Sequence, residues 1–115
     1  MKMNLTVAIC VYNAERYIEE TLKSVMNQTF QGFELLIVDD CSTDGSVALV
    51  ERFFRENPRQ YELVRFEKNG GIANARNFAL NHAKTKFLLF LDADDLFDVT
   101  LIEKEYNRIV SDEDL

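Results

Sequence analysis

The sequence predicts an α/β fold, in which four parallel strands form one sheet and helices cover both of its faces. Two observations support this prediction. Short apolar runs of strand length alternate along the chain with segments whose apolar residues recur at helical spacing. No repeat, low-complexity tract or Gly/Ser linker interrupts the alternation. Strands that alternate with helices favour a parallel sheet with right-handed crossovers, here half of a doubly wound fold.

The first half of the chain contains two predicted strands and two predicted helices. In chain order these are strand 5–11, helix 14–27, strand 33–38 and helix 46–55. The first helix has an apolar stripe at Ile18, Leu22, Val25 and Met26. The second helix follows a turn that offers three N-capping residues, Ser42, Thr43 and Asp44. Pro58 ends that helix, because the residue before a proline is disfavoured in helical conformation.

The second half continues the alternation. A short strand at 63–66 and a Gly-rich turn at 69–71 precede a helix that begins near residue 72. That helix has small residues on one face, which lets it pack close to the sheet: Ala75, Ala79 and Ala83. A strand at 86–91 and a helix at about 100–111 follow. The strand is a continuous apolar run, which is typical of a strand buried on both faces.

Three carboxylates stand at the end of this last apolar strand, at Asp92, Asp94 and Asp95. The carboxyl ends of strands are where open α/β sheets bind ligands. Clustered carboxylates repel one another, and their oxygens suit Mg²⁺ or Mn²⁺. The alternative is a solvated acidic turn before the next helix, with Asp98 or Thr100 as its cap. We interpret the cluster as one wall of a metal-dependent site.

A second acidic pair, Asp39 and Asp40, ends the second strand. In a sheet of order 3-2-1-4 it would lie roughly 10 Å from Asp92, across the end of the first strand. That gap suits a flat base and a ribose, with a diphosphate beyond. Side-chain alternation along the strand would direct one aspartate into the crevice and the other away from it. The alternative is ordinary turn chemistry, in which aspartate is common.

Two further features could complete such a pocket. A Gly-rich turn lets the backbone approach a ligand, and Arg76 offers a planar fork of donors for a phosphate or a base edge. Tyr12, at the end of the first strand, could lie against a base. The alternatives are an exposed arginine at a helix start and a tyrosine that merely packs.

Composition and charge exclude several classes. The chain has 115 residues and a net charge of −7, which disfavours nucleic acid and anionic lipid as partners. No apolar run reaches the length of a membrane span. We expect a cytoplasmic protein, whose full-length form could act at the inner face of the membrane. Cys10 and Cys41 are expected to be reduced thiols, and a single histidine, His82, makes a Ser/His/Asp site implausible.

Four ordered motifs together resemble the family 2 glycosyltransferases, which have the GT-A fold. They are VAICVYNAERYI at 7–18, FELLIVDDCSTDGS at 33–46, NGGIANARNFAL at 69–80 and FLLFLDADDLF at 87–97. The resemblance covers about residues 5–100 and implies a nucleotide-sugar donor, usually a UDP-sugar, with Mn²⁺ or Mg²⁺. It also implies transfer to a glycan or lipid-linked acceptor, with an inverting mechanism.

The resemblance also implies roles for individual residues. It places nine positions in the donor site: Cys10, Val11, Tyr12, Glu15, Asp40, Gly71, Arg76, Asp92 and Ala93. Among these, Asp40 would contact a uracil-type base, and Arg76 would lie near the base or the diphosphate. Asp94 would ligate the metal, with Asp92 beside the ribose and the metal's water shell. The family commonly has proline where this chain has Cys10.

In this family the acceptor site and the catalytic base lie in the C-terminal half. We therefore expect residues 1–115 to form the single, nucleotide-sugar-binding N-terminal part of a GT-A domain, truncated before the acceptor half. No catalytic base is assigned within it, and we expect the chain alone to be inactive. Truncation would expose a sheet edge and favour a homo-oligomer.

Other functions remain open from the sequence. A haloacid-dehalogenase-type phosphatase also has an apolar strand that ends in DxD, although Leu96 stands where that motif has Thr or Val. A nucleotide-binding fragment without catalysis is the other alternative. A phospho-acceptor module is disfavoured because its acidic pair follows the first strand. A Rossmann dehydrogenase is disfavoured because no GxGxxG follows that strand.

Overall fold

The computed structural model describes residues 4–93 and 97–113. Strands and helices alternate through these residues. They are β1 (Leu5–Val11), α1 (Ile18–Met26), β2 (Phe33–Asp39), α2 (Ser46–Glu56), β3 (Glu62–Arg65), α3 (Ile72–His82), β4 (Phe87–Asp92) and α4 (Leu101–Glu113). The strands form one parallel sheet of order β3-β2-β1-β4. The predicted fold class and strand order are confirmed.

β1 is the central element that positions the site. Its residues are buried except for the half-buried Cys10, because strands flank it on both edges and helices cover both faces. Cys10 pairs with Asp92 of β4, and Val11 pairs with Asp39 of β2. The ends of β2, β1 and β4, which carry the predicted site residues, therefore lie side by side at one edge of the sheet.

Helices cover both faces of the sheet, as predicted. On one face, alternate residues of β1 pack with the apolar stripes of α1 and α2 and with Ile102 of α4. On the other face, Ala8 packs with Ala75 and Ala79 of α3. Both of these helical alanines are fully buried, so the small-residue face of α3 lies close to the sheet. No helix in the described part of the chain is long and apolar enough to cross a membrane.

The expected burial of the last strand on both faces is wrong. Only Leu91 in its apolar run is buried, and the four residues before it, 87–90, are half-buried. β4 is the terminal strand of the sheet among the described residues, so its side chains have neighbours along one edge only. A continuous apolar pattern does not distinguish a terminal strand from a central one.

Most element bounds agree with the prediction to within one or two residues, but α1 begins four residues later than predicted. Residues 15–17 form a turn, and Ala14 accepts the N–H of Tyr17 and of Ile18. The Ala14 N–H donates to Ser46 at the beginning of α2, and the Glu15 N–H donates to Asp44 in the loop before it. The chain therefore enters the helix only after this contact. α2 has Gly45 as its N-cap, and Asp44 accepts the N–H of Ser46 instead.

Candidate functional site

A cleft of about 550 Å³ opens at the carboxyl ends of β1, β2 and β4. This is the edge where parallel α/β sheets bind ligands. The residues that line it are Cys10, Val11, Tyr12, Asn13, Ala14, Tyr17, Asp40, Asn69, Gly71, Ile72, Ala75, Asp92 and Ala93. The cleft thus contains seven of the nine residues predicted for the donor site, which lie apart in sequence and meet because of the strand order.

The end of β1 provides the back of the cleft. Val11 is buried, and its carbonyl accepts the N–H of Asp40 at 2.8 Å, which ties this strand end to that of β2. The Tyr12 side chain is 51% exposed and offers an aromatic face at the cleft. Burial raises the pKa of the Cys10 thiol, an effect that the nearby Arg76 guanidinium opposes. The thiol is therefore neutral near pH 7.

The two aspartates at the end of β2 point in different directions, as side-chain alternation along the strand predicts. The Asp39 carboxylate accepts the Oγ–H and the N–H of Ser42, at 2.6 and 3.0 Å, and serves the turn. The Asp40 carboxylate lines the cleft, although it is only 4% exposed. Its Oδ1 accepts the Gly70 N–H at 2.8 Å, and its Oδ2 accepts the Gly71 N–H at 2.9 Å. Of the two aspartates, Asp40 is therefore the one whose carboxylate faces the cleft.

The opposite side of the cleft has a pair of opposite charges. The Arg76 Nη2 lies 3.8 Å from the Asp92 Oδ1, and both side chains are about half exposed. The guanidinium also lies 5.4 Å from the centroid of the Phe90 ring. An exposed ion pair contributes little to stability, so these two groups remain available to an anionic ligand or a cation. Arg76 itself stands beside the cleft-lining set rather than within it.

The predicted metal ligands lie partly outside the described residues. Asp94, together with Asp95, belongs to the segment 94–96 that the structure does not describe. Asp92 has a carboxylate at the cleft. Within the described ranges, no three His, Cys, Asp or Glu side chains are grouped to hold a metal ion. Magnesium in phosphate sites takes one or two carboxylates and completes its shell with phosphate oxygens and water, and Asp92 fits that donor set.

Glu15 is not brought into the cleft-lining set. Its carboxylate faces Gly45 instead, whose N–H donates to Oε2 at 3.4 Å. The donor-binding role that the family resemblance implies for Glu15 stays a prediction. In this structure its contact is with the beginning of α2.

Two loops beside the cleft are joined by hydrogen bonds that no sequence pattern indicated. Three successive main-chain N–H groups, at 13–15, donate to two side chains of the loop after β2 and to one at the beginning of α2. The acceptors are Ser42 Oγ at 2.9 Å, Ser46 Oγ at 2.8 Å and Asp44 Oδ2 at 3.2 Å. In return, Asn13 Oδ1 accepts the Thr43 N–H at 2.8 Å. The turn residues in the first and second motifs therefore contact each other, not only their own helices.

The same network sets the charge state of Asp44. Desolvation alone would raise the pKa of this carboxyl, but hydrogen bonds from Ser46 and from the Glu15 N–H outweigh it and lower the pKa below its ordinary value. Asp44 thus stays ionised while it holds both loops.

Five of the residues that line the cleft were not predicted as site residues: Asn13, Ala14, Tyr17, Ile72 and Ala75. Asn13 has a φ of 49°, a conformation that asparagine adopts more readily than most residues, so its position after a strand was a usable signal. Tyr17 and Ile72 are about half exposed at the cleft. Each stands at a helix start, where the sequence pattern does not indicate a ligand.

The family model for "Glycosyl transferase family 2" matches residues 6–115. The chain belongs to this family. One relative is the teichoic acid poly(glycerol phosphate) polymerase of Staphylococcus epidermidis, 41% identical over 90% of this chain and 15% of that protein. Another is the poly(ribitol-phosphate) beta-N-acetylglucosaminyltransferase TarS of Staphylococcus aureus, 41% identical over 81% of this chain and 16% of TarS.

Solved structures agree with this assignment. Staphylococcus aureus TarS 1–349 in complex with UDP-GlcNAc has a TM-score of 0.83 and 37% identity, over 95% of this chain and 32% of that one. The mannosyltransferase PcManGT from Pyrobaculum calidifontis, in complex with GDP-Man and Mn²⁺, has a TM-score of 0.77 and 33% identity, over 84% of this chain and 29% of that one. The fold is therefore that of the GT-A glycosyltransferases. The chain spans about a third of each of these two structures.

Proposed function

We propose that this chain is the donor-binding part of a glycosyltransferase that takes a nucleotide-diphosphate sugar, in particular a UDP-sugar. One observation carries the proposal: Asp40, Tyr12 and the Arg76–Asp92 pair meet around one cleft at the ends of three adjacent strands. Family membership supports it over the phosphatase alternative, which needs its DxD after the opening strand of the domain.

The base would lie on the Asp40 side of the cleft. An ionised carboxylate only accepts hydrogen bonds, so it suits a base that presents a ring N–H, as uracil does, and disfavours cytosine, whose ring nitrogen is an acceptor. The Tyr12 ring, half exposed at the strand end, can lie against the flat face of a base. The UDP-GlcNAc complex of the similar TarS structure is consistent with this assignment.

The diphosphate would lie on the opposite side. The Arg76 guanidinium offers donors to phosphate oxygens, with Asp92 keeping it beside the cleft. Asp92, with Asp94 as the predicted direct ligand, would hold Mn²⁺ or Mg²⁺. When bound, such a cation offsets the negative charge of the diphosphate leaving group. The Mn²⁺ complex of PcManGT supports the choice of metal.

Transfer of the sugar to an acceptor requires groups that this donor site does not provide. An inverting reaction requires a general base that deprotonates the acceptor hydroxyl as it attacks the anomeric carbon. We assign that base, and the glycan or lipid-linked acceptor, to residues beyond this chain, as the family resemblance implies. The chain alone would therefore bind the donor without turning it over. Two relatives, one named for teichoic acid poly(glycerol phosphate) and the other for poly(ribitol-phosphate), favour a cell-envelope polymer as the product.

Titration calorimetry with UDP tests this proposal. We expect the wild-type chain to bind UDP in the presence of Mn²⁺ and to lose that binding in EDTA. The substitution Asp94→Ala should abolish the Mn²⁺-dependent binding of UDP. Glu51→Gln changes an exposed residue on α2 and should leave UDP binding unchanged. A chain that binds no UDP, or that binds it equally well in EDTA, would contradict the proposal.

A further inference from the structure

The Asp40 carboxylate has both of its oxygens engaged before any ligand is considered. The N–H groups of Gly70 and Gly71 donate to Oδ1 and Oδ2 at 2.8 and 2.9 Å. The Asn69 side chain adds a weaker contact, from Nδ2 to the Asp40 carbonyl at 3.4 Å. These three residues join β3 to α3, and two of them line the cleft. One buried side chain directly after β2 thus holds a loop that lies 30 residues further along the chain.

The loop needs such an anchor for a conformational reason. Gly71 has a φ of 88° and a ψ of 167°, a conformation that only glycine adopts readily. A Cβ built on Gly71 would meet nothing within 4 Å, so the backbone conformation, rather than space, requires glycine. Two successive glycines lose more conformational entropy on ordering than other residues do. Charge-assisted hydrogen bonds to a carboxylate offset that loss more effectively than neutral ones.

We propose that Asp40 is a positioning residue that holds the Gly70–Gly71 loop against the cleft before the nucleotide arrives. This inference rests on the proposed function and adds a second role to the contact with the base. An ionised carboxylate has about four acceptor positions, so two main-chain donors leave room for one N–H from a ligand. The two glycine N–H groups also fix the orientation of the carboxylate. The Asp40 carboxylate, already oriented by the loop, can therefore accept hydrogen bonds from the loop and from a ligand at the same time.

The substitution Asp40→Asn separates positioning from base contact. An asparagine side chain has one acceptor oxygen, and its NH₂ group would face one of the two glycine donors. That glycine N–H then loses its partner, and the NH₂ group at the nearly fully buried position 40 faces a donor instead of an acceptor. The loop should then open even when no nucleotide is present, which a residue that only contacts the base would not cause.

Amide hydrogen exchange by NMR, without nucleotide, is the test. In the wild type, the Gly70 and Gly71 amides should exchange well below the random-coil rate. In Asp40→Asn both should exchange about tenfold faster or more, while the Phe66 amide, bonded to the Asp39 carbonyl, keeps its protection and reports that the fold is intact. Asp39→Asn is the matched control, since that carboxylate serves Ser42, and it should leave both glycine amides protected.

Unprotected glycine amides in the wild type would overturn the proposal without any variant having to fold. So would unchanged glycine exchange in a folded Asp40→Asn. Because no nucleotide is present, a failure here leaves the calorimetric test of UDP binding untouched, and a failure to bind UDP leaves this result standing.

Discussion

Removal of one buried hydroxyl, in Ser46→Ala, should destabilise the fold far more than its size suggests. Ser46 is fully buried at the beginning of α2. Its Oγ accepts the Ala14 N–H at 2.8 Å and donates to Asp44 Oδ1 at 2.6 Å. The substitution leaves the buried Ala14 N–H without a partner and removes a hydrogen bond to a charged group.

The magnitude follows from these two contacts. An unsatisfied buried N–H costs about 1–3 kcal/mol, and a hydrogen bond to a charged group contributes about 1.5–3 kcal/mol. The two effects overlap, and alanine adds a few tenths of a kcal/mol of helix propensity in return. We expect the free energy of unfolding to fall by about 2–3 kcal/mol, equivalent to about 8–12 °C in Tm for a domain of this size.

Urea unfolding followed by circular dichroism measures this change, with an unchanged m value as the sign that the unfolded state is unaffected. Ser111→Ala is the matched control, because Ser111 is exposed on α4 and its loss should change stability by less than about 0.5 kcal/mol. If Ser46→Ala were as stable as the control, the two loops would not depend on this hydroxyl, and the reasoning would be refuted.

Two further predictions concern acid stability and association. Because Asp44 has a lowered pKa in the folded state, its contribution to stability is present above about pH 4, the ordinary value, and is lost as the pH falls through the lower folded value. Urea unfolding from pH 7 to pH 3 should therefore show a steeper loss for the wild type than for Asp44→Asn, and equal slopes would contradict this. Two copies of the chain should also pair antiparallel along β4. In one register, Lys86 of each copy lies opposite Asp92 of the other, and the two Leu89 side chains lie opposite each other, so both cross-strand pairs are favourable. Sedimentation should then show concentration-dependent dimers that Leu89→Lys abolishes without changing the circular dichroism, whereas a wild type that stays monomeric at high concentration would argue against this pairing.

The elements and their arrangement in the sheet could be predicted from the residues alone. Hydrophobic periodicity is a local signal, so the strand at 5–11 and the small-residue face of α3 could be predicted from neighbouring residues alone. The order β3-β2-β1-β4 was expected from the doubly wound pattern, and it places Asp40 and Asp92 on either side of the end of β1. Apolar and acidic patterns thus sufficed to predict where the cleft lies.

The hydrogen-bond partners around that cleft, in contrast, could not be predicted and are set by the folded chain. Ala14 and Ser46 are 32 positions apart, and Asp40 and Gly71 are 31 apart, so no local pattern indicates that they share a hydrogen bond. The family resemblance implies that Glu15 belongs to the donor site. Its carboxylate instead contacts the start of α2, because the loop that contains Glu15 lies against the loop after β2. Local propensity specifies how a segment folds, whereas the partners of its polar groups depend on which strand ends the sheet brings together.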